Sequence, residues 1–311
     1  MEGNGSGDSM AGDEALRCLR TSLIPPMPRS KQLAISKATR YQNAALTYYL
    51  GLTDSPYLHY GYWEPIPAAE DLTIAKLSVA QAAYSAKLLG FMPEGIKTVL
   101  DVGCGIGGNA AYLLERGFTV EGLAPDPFQQ ERFLKLTQNR AIFHLTPFET
   151  FTATHSYDLV LLSESSQYMA AIDIAQCAAA ALNPGGYLLL ADMMRSDAHY
   201  TEGIFSNCHV VMDLHSALEQ AGFTLVKSED ISAQAAPTID LYIDVFRRFG
   251  LSTIHYLADL VAIAVPPLHA LLRWAYRRWA KKLVVEGLEA GKIFEKHLCY
   301  QIQLWQLAKS D

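Results

Sequence analysis

The 311-residue chain is long enough for one large domain or two small ones, and half of its residues are hydrophobic, so it can bury a substantial core. Its net charge of −7 shows no basic excess, which argues against nucleic acid as a partner. The five cysteines form no C-x-x-C pair, so the sequence predicts no disulfide framework and favours a reducing, cytoplasmic compartment.

The segments ahead of residue 96 predict a disordered tail followed by a helical lid. Residues 1–20 are polar and glycine-rich, as in disordered segments, and lack the apolar core of a signal peptide. The lid is assigned to residues 21–95. Within it, residues 31–50 and 71–89 show the apolar spacing of amphipathic helices. We expect the lid to cover a ligand cleft formed by the next part of the chain.

An aromatic segment lies between these two predicted helices. Its proline and glycine residues break regular structure, yet it carries His59, Tyr60, Tyr62 and Trp63. An electron-rich ring attracts a nearby cation by roughly 0.5–2 kcal/mol. The segment therefore fits a cationic ligand site, and the alternative is a loop held to the core by aromatic burial. His59 fits either role equally well.

Residues 97–103 predict a buried strand, and glycines at 103, 105 and 108 then lead into an Ala/Leu-rich helix. Glycine allows a tight turn and a close approach of a ligand to the backbone. The same spacing occurs in nicotinamide and flavin enzymes. Asp101 argues against those classes, because a carboxylate there would repel a pyrophosphate and suit a positively charged ligand. A strand–turn–helix without any ligand remains the alternative.

The stretch Val99-Leu-Asp-Val-Gly-Cys-Gly-Ile-Gly-Gly108 resembles the first motif of the class I S-adenosylmethionine (SAM) methyltransferases. In that family the carboxylate lies near the methionine ammonium, and the loop packs against the amino-acid and ribose parts of SAM. The resemblance implies SAM as cofactor. The resemblance also implies which residues bind SAM: Asp101, Gly103, Gly105, Gly108 and Asn109.

Many small-molecule members of the family carry a His-x-Gly-x-Trp segment upstream of this motif, beside the sulfonium. The aromatic segment of this chain is similar. The resemblance therefore implies that Tyr60 and Trp63 contact the cofactor and that His59 and Tyr62 take part in catalysis. Two later segments are also similar to such members: Glu164-Ser165 to terpenoid-type enzymes, and Asp230-Ile-Ser232 to rebeccamycin- and tocopherol-type enzymes.

Two later positions depart from the family pattern. Ala124 stands where an acidic residue normally binds the ribose hydroxyls, so either Asp126 reaches back to the ribose or it only caps the next helix. In the segment that contacts adenine, Thr146 replaces the usual acid but can still form hydrogen bonds. Phe148 is expected to form a wall of the adenine pocket.

The strand at residues 157–163 ends at the cleft where the methyl group must be delivered. The resemblance places Ser163 at the cofactor, and Glu164 and Tyr168 at the reacting centre. A carboxylate at Glu164 could orient a nucleophile, accept a proton or offset a developing positive charge. The alternative is a structural hydrogen bond to a loop amide.

Strands and helices alternate along residues 96–232, which predicts an α/β fold: a seven-stranded, mostly parallel, Rossmann-like sheet with helices on both faces. The expected strands are 97–103, 118–123, 141–145, 157–163, 187–192, 223–228 and one within 295–308. The expected core helices are 107–116, 127–139, 170–182 and 209–221. Residues 233–293 predict a helical cap insertion, and residues 294–311 supply the closing strand.

Within the cap insertion, Leu272, Tyr276, Trp279 and Leu283 share one helical face, and five basic residues lie within 273–282. A basic, aromatic helix can bind an anionic membrane surface or a diphosphate. More often such a helix is solvated on one side and packed on its own domain. The longest uncharged apolar run, residues 260–272, is too short to cross a bilayer.

Together these features predict SAM-dependent methyl transfer to a small lipophilic or aromatic acceptor. Carbon is slightly favoured over oxygen or nitrogen as the methylated atom. The histidines show no compact spacing of metal ligands, so transfer without a metal is expected. The alternative is a SAM-binding enzyme that does not methylate, such as a cyclase. The sequence leaves the acceptor and the oligomeric state open.

Overall fold

The structure, a computed structural model, describes residues 46–47, 50–53 and 55–309. The predicted tail at 1–20 lies outside the described residues, as does most of the helix predicted at 31–50. The described residues between 46 and 53 are helical.

A seven-stranded sheet with the order β3-β2-β1-β4-β5-β7-β6 forms the centre of the protein. Strands β3, β2, β1, β4 and β5 are parallel, whereas β7 is antiparallel to both β5 and β6. This arrangement confirms the predicted Rossmann-like fold. The strands are β1 Thr98–Val102, β2 Thr119–Leu123, β3 Ile142–His144, β4 Tyr157–Ser163, β5 Leu182–Arg195, β6 Phe223–Asp230 and β7 Leu298–Leu307.

The central strands are apolar along their whole length because both faces of the sheet are covered. Val99 and Leu161 belong to an apolar cluster on one face, and Leu100 and Val160 belong to a cluster on the other. The helices are α1 Ile74–Leu89, α2 Gly108–Leu114, α3 Pro127–Leu136, α4 Ala171–Ala181, α5 Val211–Gln220, α6 Ser232–Val245, α7 Ser252–Ala264, α8 Pro266–Ala275, α9 Lys281–Leu288 and α10 Ala290–His297.

Helices α1, α2, α3, α6 and α10 contribute to the first cluster, and α4 and α5 to the second. Most boundaries differ from the predictions by one to three residues, and the starts of α1 and β5 have a structural reason. Helix α1 begins after Thr73, because a separate 3₁₀ turn at Ala69–Asp71 takes up the residues ahead of it. Strand β5 begins at Leu182, which pairs with Tyr157 across a shift in register.

The insertion between β6 and β7 is helical, as predicted, but it has two unlike parts. Helices α6 and α10 bury Ala235, Ile239 and Phe294 against the sheet. The residues between them, 246–288, contain no buried side chain; we call this stretch the outer cap. It comprises α7, α8, α9 and π-helical turns at Phe246–Leu251 and Tyr276–Ala280.

The expectation that the basic, aromatic helix packs on its own domain is therefore wrong. Leu272, Tyr276, Trp279 and Leu283 are between 44% and 66% exposed. The helices of the outer cap contact mainly their neighbours along the chain, so the described part of the protein leaves these side chains largely uncovered. In the part of the chain that the structure describes, no helix is long and apolar enough to cross a membrane.

Candidate active site

Asp101 lies near the carboxyl end of β1 and is only 2% exposed. Its Oδ2 atom is buried and has no hydrogen-bond partner among the described residues. Burial raises the pKa of this carboxyl group to about 7. A buried carboxylate without a partner is unfavourable, so this atom is suited to receive a cationic group such as the ammonium of SAM.

A glycine loop follows Asp101 and turns the chain from β1 into α2. Gly103, Gly105 and Gly107 all have positive φ, and Gly107 precedes the first residue of α2. The Gly103 N–H donates to the carbonyl oxygen of Leu123 at 2.8 Å, which joins the loop to the end of β2. A side chain at Gly103 would overlap Ser165, so the loop and the end of β4 meet closely.

Replacing Gly103 with alanine should lower the free energy of unfolding by roughly 2–4 kcal/mol, because it adds a clash with Ser165 to a left-handed backbone. Gly117→Ala is the matched control, since Gly117 also has positive φ but nothing lies within 4 Å of its added Cβ. We expect the control to lose roughly 1–2 kcal/mol in urea unfolding. Equal losses in the two variants would show that the close approach at Gly103 does not exist.

The aromatic segment passes directly over the glycine loop. A Cβ at Gly105 would lie 3.0 Å from Cδ1 of Leu58, and one at Gly108 would overlap the carbonyl of Pro56. Gln81 of α1 holds the segment in place: its Nε2 donates to the His59 carbonyl at 2.6 Å. Helix α1 therefore positions the segment beside the candidate SAM site.

His59 is buried within this segment, and a backbone carbonyl binds one of its ring nitrogens. Nδ1 donates to the carbonyl of Tyr60 at 2.8 Å, and Nε2 lies 3.4 Å from Oγ of Ser85. The ring stacks on Tyr84 at a centroid distance of 4.2 Å. Burial lowers the pKa of His59 to about 4, so it is neutral at pH 7. These contacts favour the structural alternative for His59.

Asn109, predicted to bind the cofactor, joins α2 to α1 in the same region. Its Oδ1 accepts a hydrogen bond from Oγ of Ser85 at 2.7 Å. The hydroxyl of Ser85 therefore links the first turn of α2 to the helix that carries Gln81.

Glu164 follows β4 and adopts a positive φ of 54°. Its Oε1 accepts hydrogen bonds from the Tyr60 N–H at 2.6 Å and the Tyr300 hydroxyl at 2.7 Å. No described residue forms a hydrogen bond with Oε2, which leaves that oxygen available to an acceptor molecule. Burial raises the pKa of Glu164 to about 8, and nearby Asp192 adds to the effect although the two hydrogen bonds oppose it. The structure thus brings together Tyr60 and Glu164, which are 104 positions apart in the sequence.

Two buried tyrosines, Tyr84 and Tyr300, lie beside Glu164, and the sequence analysis identified neither of them. The hydroxyls of Tyr84 and Tyr300 lie 2.9 Å apart, and the Tyr84 hydroxyl is also 3.2 Å from Oγ of Ser163. Burial holds the pKa of both tyrosines well above the usual value, so both remain protonated phenols. The ring centroid of Tyr300 lies 6.0 Å from that of Tyr60.

The loop that carries Glu164 is fixed by the next strand. Asp192 on β5 accepts hydrogen bonds at Oδ2 from the N–H and the hydroxyl of Ser166, at 2.9 and 2.6 Å. Ser165 donates to the carbonyl of Val102 at 2.7 Å. These bonds hold the residues after Glu164 and stabilise its left-handed backbone.

Tyr62 and Trp63 are directed away from Glu164. The Tyr62 hydroxyl donates to Glu64 at 3.1 Å, and the ammonium of Lys87 lies 5.2 Å from the centre of its ring. Trp63 is buried in a separate apolar cluster and donates from Nε1 to the Thr238 hydroxyl of α6 at 2.9 Å. These contacts give Trp63 a packing role. They anchor the aromatic segment to the first helix of the cap insertion.

Tyr168, the remaining predicted catalytic residue, is 60% exposed at the end of a short 3₁₀ turn, Ser166–Tyr168. The structure therefore places it at the surface rather than within the group of Tyr60, Glu164 and Tyr300. Its catalytic role stays a prediction.

The residues predicted at the ribose and adenine are held mainly by local contacts. Asp126 caps α3 by accepting a hydrogen bond from the Phe128 N–H at 3.0 Å, which is the alternative role named for it. Thr146 lies 3.0 Å from the Thr150 hydroxyl. Phe148 is 2% exposed inside the cluster that includes α4. Their cofactor-binding roles remain predictions.

Within residues 46–47, 50–53 and 55–309, no group of three or more His, Cys, Asp or Glu side chains is placed to hold a metal ion.

Comparison with known proteins identifies the family. The profile of a family described as "Methyltransferase domain" matches residues 78–228. The 2-methyl-6-phytyl-1,4-hydroquinone methyltransferase of Synechocystis sp. is 30% identical over 178 residues, which are 54% of this chain and 54% of that protein. Methyltransferase GfsG of Streptomyces halstedii is 30% identical over 200 residues, or 58% of this chain and 70% of that protein.

Among solved structures, the [4+2]-cyclase SpnF superposes with a TM-score of 0.64 at 17% identity, covering 87% of this chain and 96% of that one. This likeness concerns the fold alone. The sheet order, the glycine loop and Asp101 define a SAM-binding protein with a Rossmann-like fold. The chain belongs to the class I SAM-dependent methyltransferases, which confirms the predicted family and cofactor. It spans about half the length of the hydroquinone methyltransferase.

Proposed function

We propose that the protein transfers a methyl group from SAM to a carbon atom of a small lipophilic acceptor in the cytoplasm. The observation that carries this proposal is the position of two unusual carboxyl groups at one edge of the sheet. Asp101 is buried without a partner, and Glu164 is held by Tyr60 and Tyr300 with one oxygen available. Both follow from parallel strands whose carboxyl ends meet at that edge.

The residues at this edge fit SAM. Asp101 would face the ammonium of its methionine part, and the backbone of Gly103 and Gly105 would border the rest of that part and the ribose. When bound, SAM supplies an electrophilic methyl group on a positively charged sulfur. The aromatic segment over the glycine loop would shield the bound cofactor from water. It also brings the Tyr60 ring and Glu164 to the same place.

Glu164 is the residue best placed to act on the acceptor. Attack by the carbon of an alkene or an electron-rich ring leaves positive charge on the acceptor, which an ionised carboxylate and nearby aromatic faces stabilise. Oε2 of Glu164 can then take up the proton that the acceptor loses. For an oxygen acceptor the same oxygen would serve as the base. His59 is less suited to either role, because burial lowers its pKa to about 4 and makes it a weak base.

Two observations support a lipophilic acceptor. The relative from Synechocystis is named for a hydroquinone with a phytyl chain. In this chain, a groove of about 630 Å³ lies between α6 and α10, and Ile239, Ile243, Phe294 and Leu298 contribute apolar surface to it. Asp240, Arg247, Lys292 and Glu295 add charged groups to this groove, and its residue Leu298 precedes Tyr300 by two positions on β7.

The test is an assay with SAM and a panel of lipophilic phenols, hydroquinones, alkenes and amines. Mass spectrometry would follow S-adenosylhomocysteine and the methylated product. We expect a product with a new carbon–methyl bond, located by NMR. An oxygen- or nitrogen-methylated product would overturn the choice of atom but keep methyl transfer. Binding of SAM without S-adenosylhomocysteine from any acceptor would favour the cyclase alternative.

A further inference from the structure

The outer cap, residues 246–288, exposes far more apolar surface than the rest of the described chain. The described residues as a whole expose 24 large hydrophobic side chains, and 15 of these lie in the outer cap. Ile263 is 80% exposed, Trp279 66% and Tyr256 63%. Contiguous apolar surface of this kind usually marks a binding site for a protein or a membrane.

The charge of the outer cap is opposite to that of the whole chain. It carries seven lysines and arginines against two acidic residues, a net charge of +5, whereas the chain as a whole carries −7. The remainder therefore carries −12. The outer cap thus combines apolar and cationic surface, which fits an anionic and apolar counterpart.

The two kinds of surface are arranged along the helices. Helix α7 has Asp259 as its only charged residue. Pro266 begins α8, and the turn Tyr276–Ala280 then brings Arg277 and Arg278 beside Trp279. Trp and Tyr favour the boundary between lipid head groups and acyl chains, and long cationic side chains reach from there to lipid phosphates.

We propose that the outer cap docks on an anionic lipid bilayer, with its apolar side chains in the interface and its arginines and lysines on the lipid phosphates. A helix in this position lies in the plane of the membrane and does not span it. The inference goes beyond methyl transfer and does not depend on it.

A second copy of this chain is the main competing occupant. It would have to offer apolar surface as well as acidic charge. Outside the outer cap, the described chain exposes nine large hydrophobic side chains, which are spread from Ile66 to Val226. An anionic bilayer offers apolar surface and negative charge over its whole area. It therefore accounts better for an outer cap that exposes apolar side chains along two successive helices.

The test is co-sedimentation of the full chain with vesicles of phosphatidylcholine and phosphatidylglycerol, compared with pure phosphatidylcholine. We expect binding to the anionic vesicles that weakens at high salt. Tryptophan emission reports the same event, because Trp274 and Trp279 are exposed whereas Trp63 and Trp305 are buried. It should shift to shorter wavelength when anionic vesicles are added.

Variants locate the contact. Each cationic residue near an anionic membrane contributes about fivefold to binding, so Arg277→Gln with Arg278→Gln should weaken partition about 25-fold. Ile263→Ser should weaken it about tenfold. Met212→Ser on α5 is the matched control, since Met212 is 72% exposed outside the outer cap, and it should bind like the parent protein. Thermal unfolding establishes that each variant is folded.

Three results would overturn the proposal. One is the absence of binding to anionic vesicles by the folded parent protein. Another is equal binding by the parent and the outer-cap variants. The third is a dimer, detected by analytical ultracentrifugation, that the Ile263→Ser variant lacks and that vesicles do not dissociate. That dimer would assign the surface to a second copy of this chain.

Discussion

Replacing Glu164 with glutamine should lower kcat for methyl transfer by about 10²–10⁴-fold. Glutamine keeps an oxygen that accepts the hydrogen bonds from the Tyr60 N–H and the Tyr300 hydroxyl, so the local structure should persist. It removes both the negative charge and the base. In the parent enzyme the rate should rise with pH and level off above about 8, because Glu164 acts in its ionised form and its pKa is about 8. The variant should lose this dependence.

Glu121 provides the matched control, since it is a buried glutamate whose hydrogen-bond partners lie outside the group around Glu164. Its Oε2 accepts hydrogen bonds from His144 at 2.6 Å and from Tyr157 at 2.7 Å. Although burial acts in the opposite direction, these bonds hold the pKa of Glu121 below its usual range. Glu121→Gln should therefore reduce thermal stability and leave kcat nearly unchanged. If Glu164→Gln retained full kcat, Glu164 would have only a structural role.

Replacing Asp101 with asparagine should weaken binding of S-adenosylhomocysteine by about 10²-fold or more, because it removes one partner of a buried charge pair. The same change should stabilise the protein without ligand at pH 8. Burial raises the pKa of Asp101 from 3.8 to about 7. The ionised carboxylate therefore destabilises the folded state increasingly as pH rises from about 4 to 7. The variant should gain on the order of 2–4 kcal/mol at pH 8, measured by urea unfolding.

Asp158 is the control with the opposite sign. Its Oδ2 accepts hydrogen bonds from the N–H groups of Lys97 and Thr98, each at 3.0 Å. Burial raises its pKa, but these bonds outweigh that effect and hold it below the usual value. Asp158→Asn should thus destabilise the protein without affecting ligand binding. Loss of stability in Asp101→Asn would contradict the view that Asp101 is an unpartnered charge kept for a ligand.

The sheet and the glycine loop were predictable because their signals are local. An apolar run followed by Asp101 and closely spaced glycines predicts a strand, a tight turn and a helix wherever it occurs. The alternation of strands and helices then restricts the fold to a parallel sheet. These features depend little on contacts between distant parts of the chain.

The group around Glu164 could not be derived in this way. Tyr300 lies there because β7 runs antiparallel to β5, so its first residues return to the edge where the parallel strands end. Tyr84 reaches the same place from α1. Neither residue belongs to a motif. Trp63 is the opposite case. Its sequence context predicted contact with the cofactor, whereas in the structure it packs in a separate apolar cluster and donates a hydrogen bond to the Thr238 hydroxyl.

The exposure of the outer cap was not predictable from its sequence for a related reason. The spacing of Leu272, Tyr276 and Trp279 predicts one helical face, but periodicity does not reveal what covers that face. The cap leaves the domain after α6 and returns at α10, and nothing in its own sequence specifies whether it folds back. Only the exposed fraction of its side chains shows that it does not.

The most direct test of the account is the affinity of S-adenosylhomocysteine measured by isothermal titration calorimetry at pH 6 and at pH 8. The ionised form of Asp101 is about tenfold less abundant at pH 6 than at pH 8 if its pKa is about 7. We therefore predict about tenfold weaker binding at pH 6, and no such difference in the Asp101→Asn variant. Equal affinity at the two pH values, or no binding at pH 8, would contradict the claim that a buried, ionisable Asp101 selects SAM.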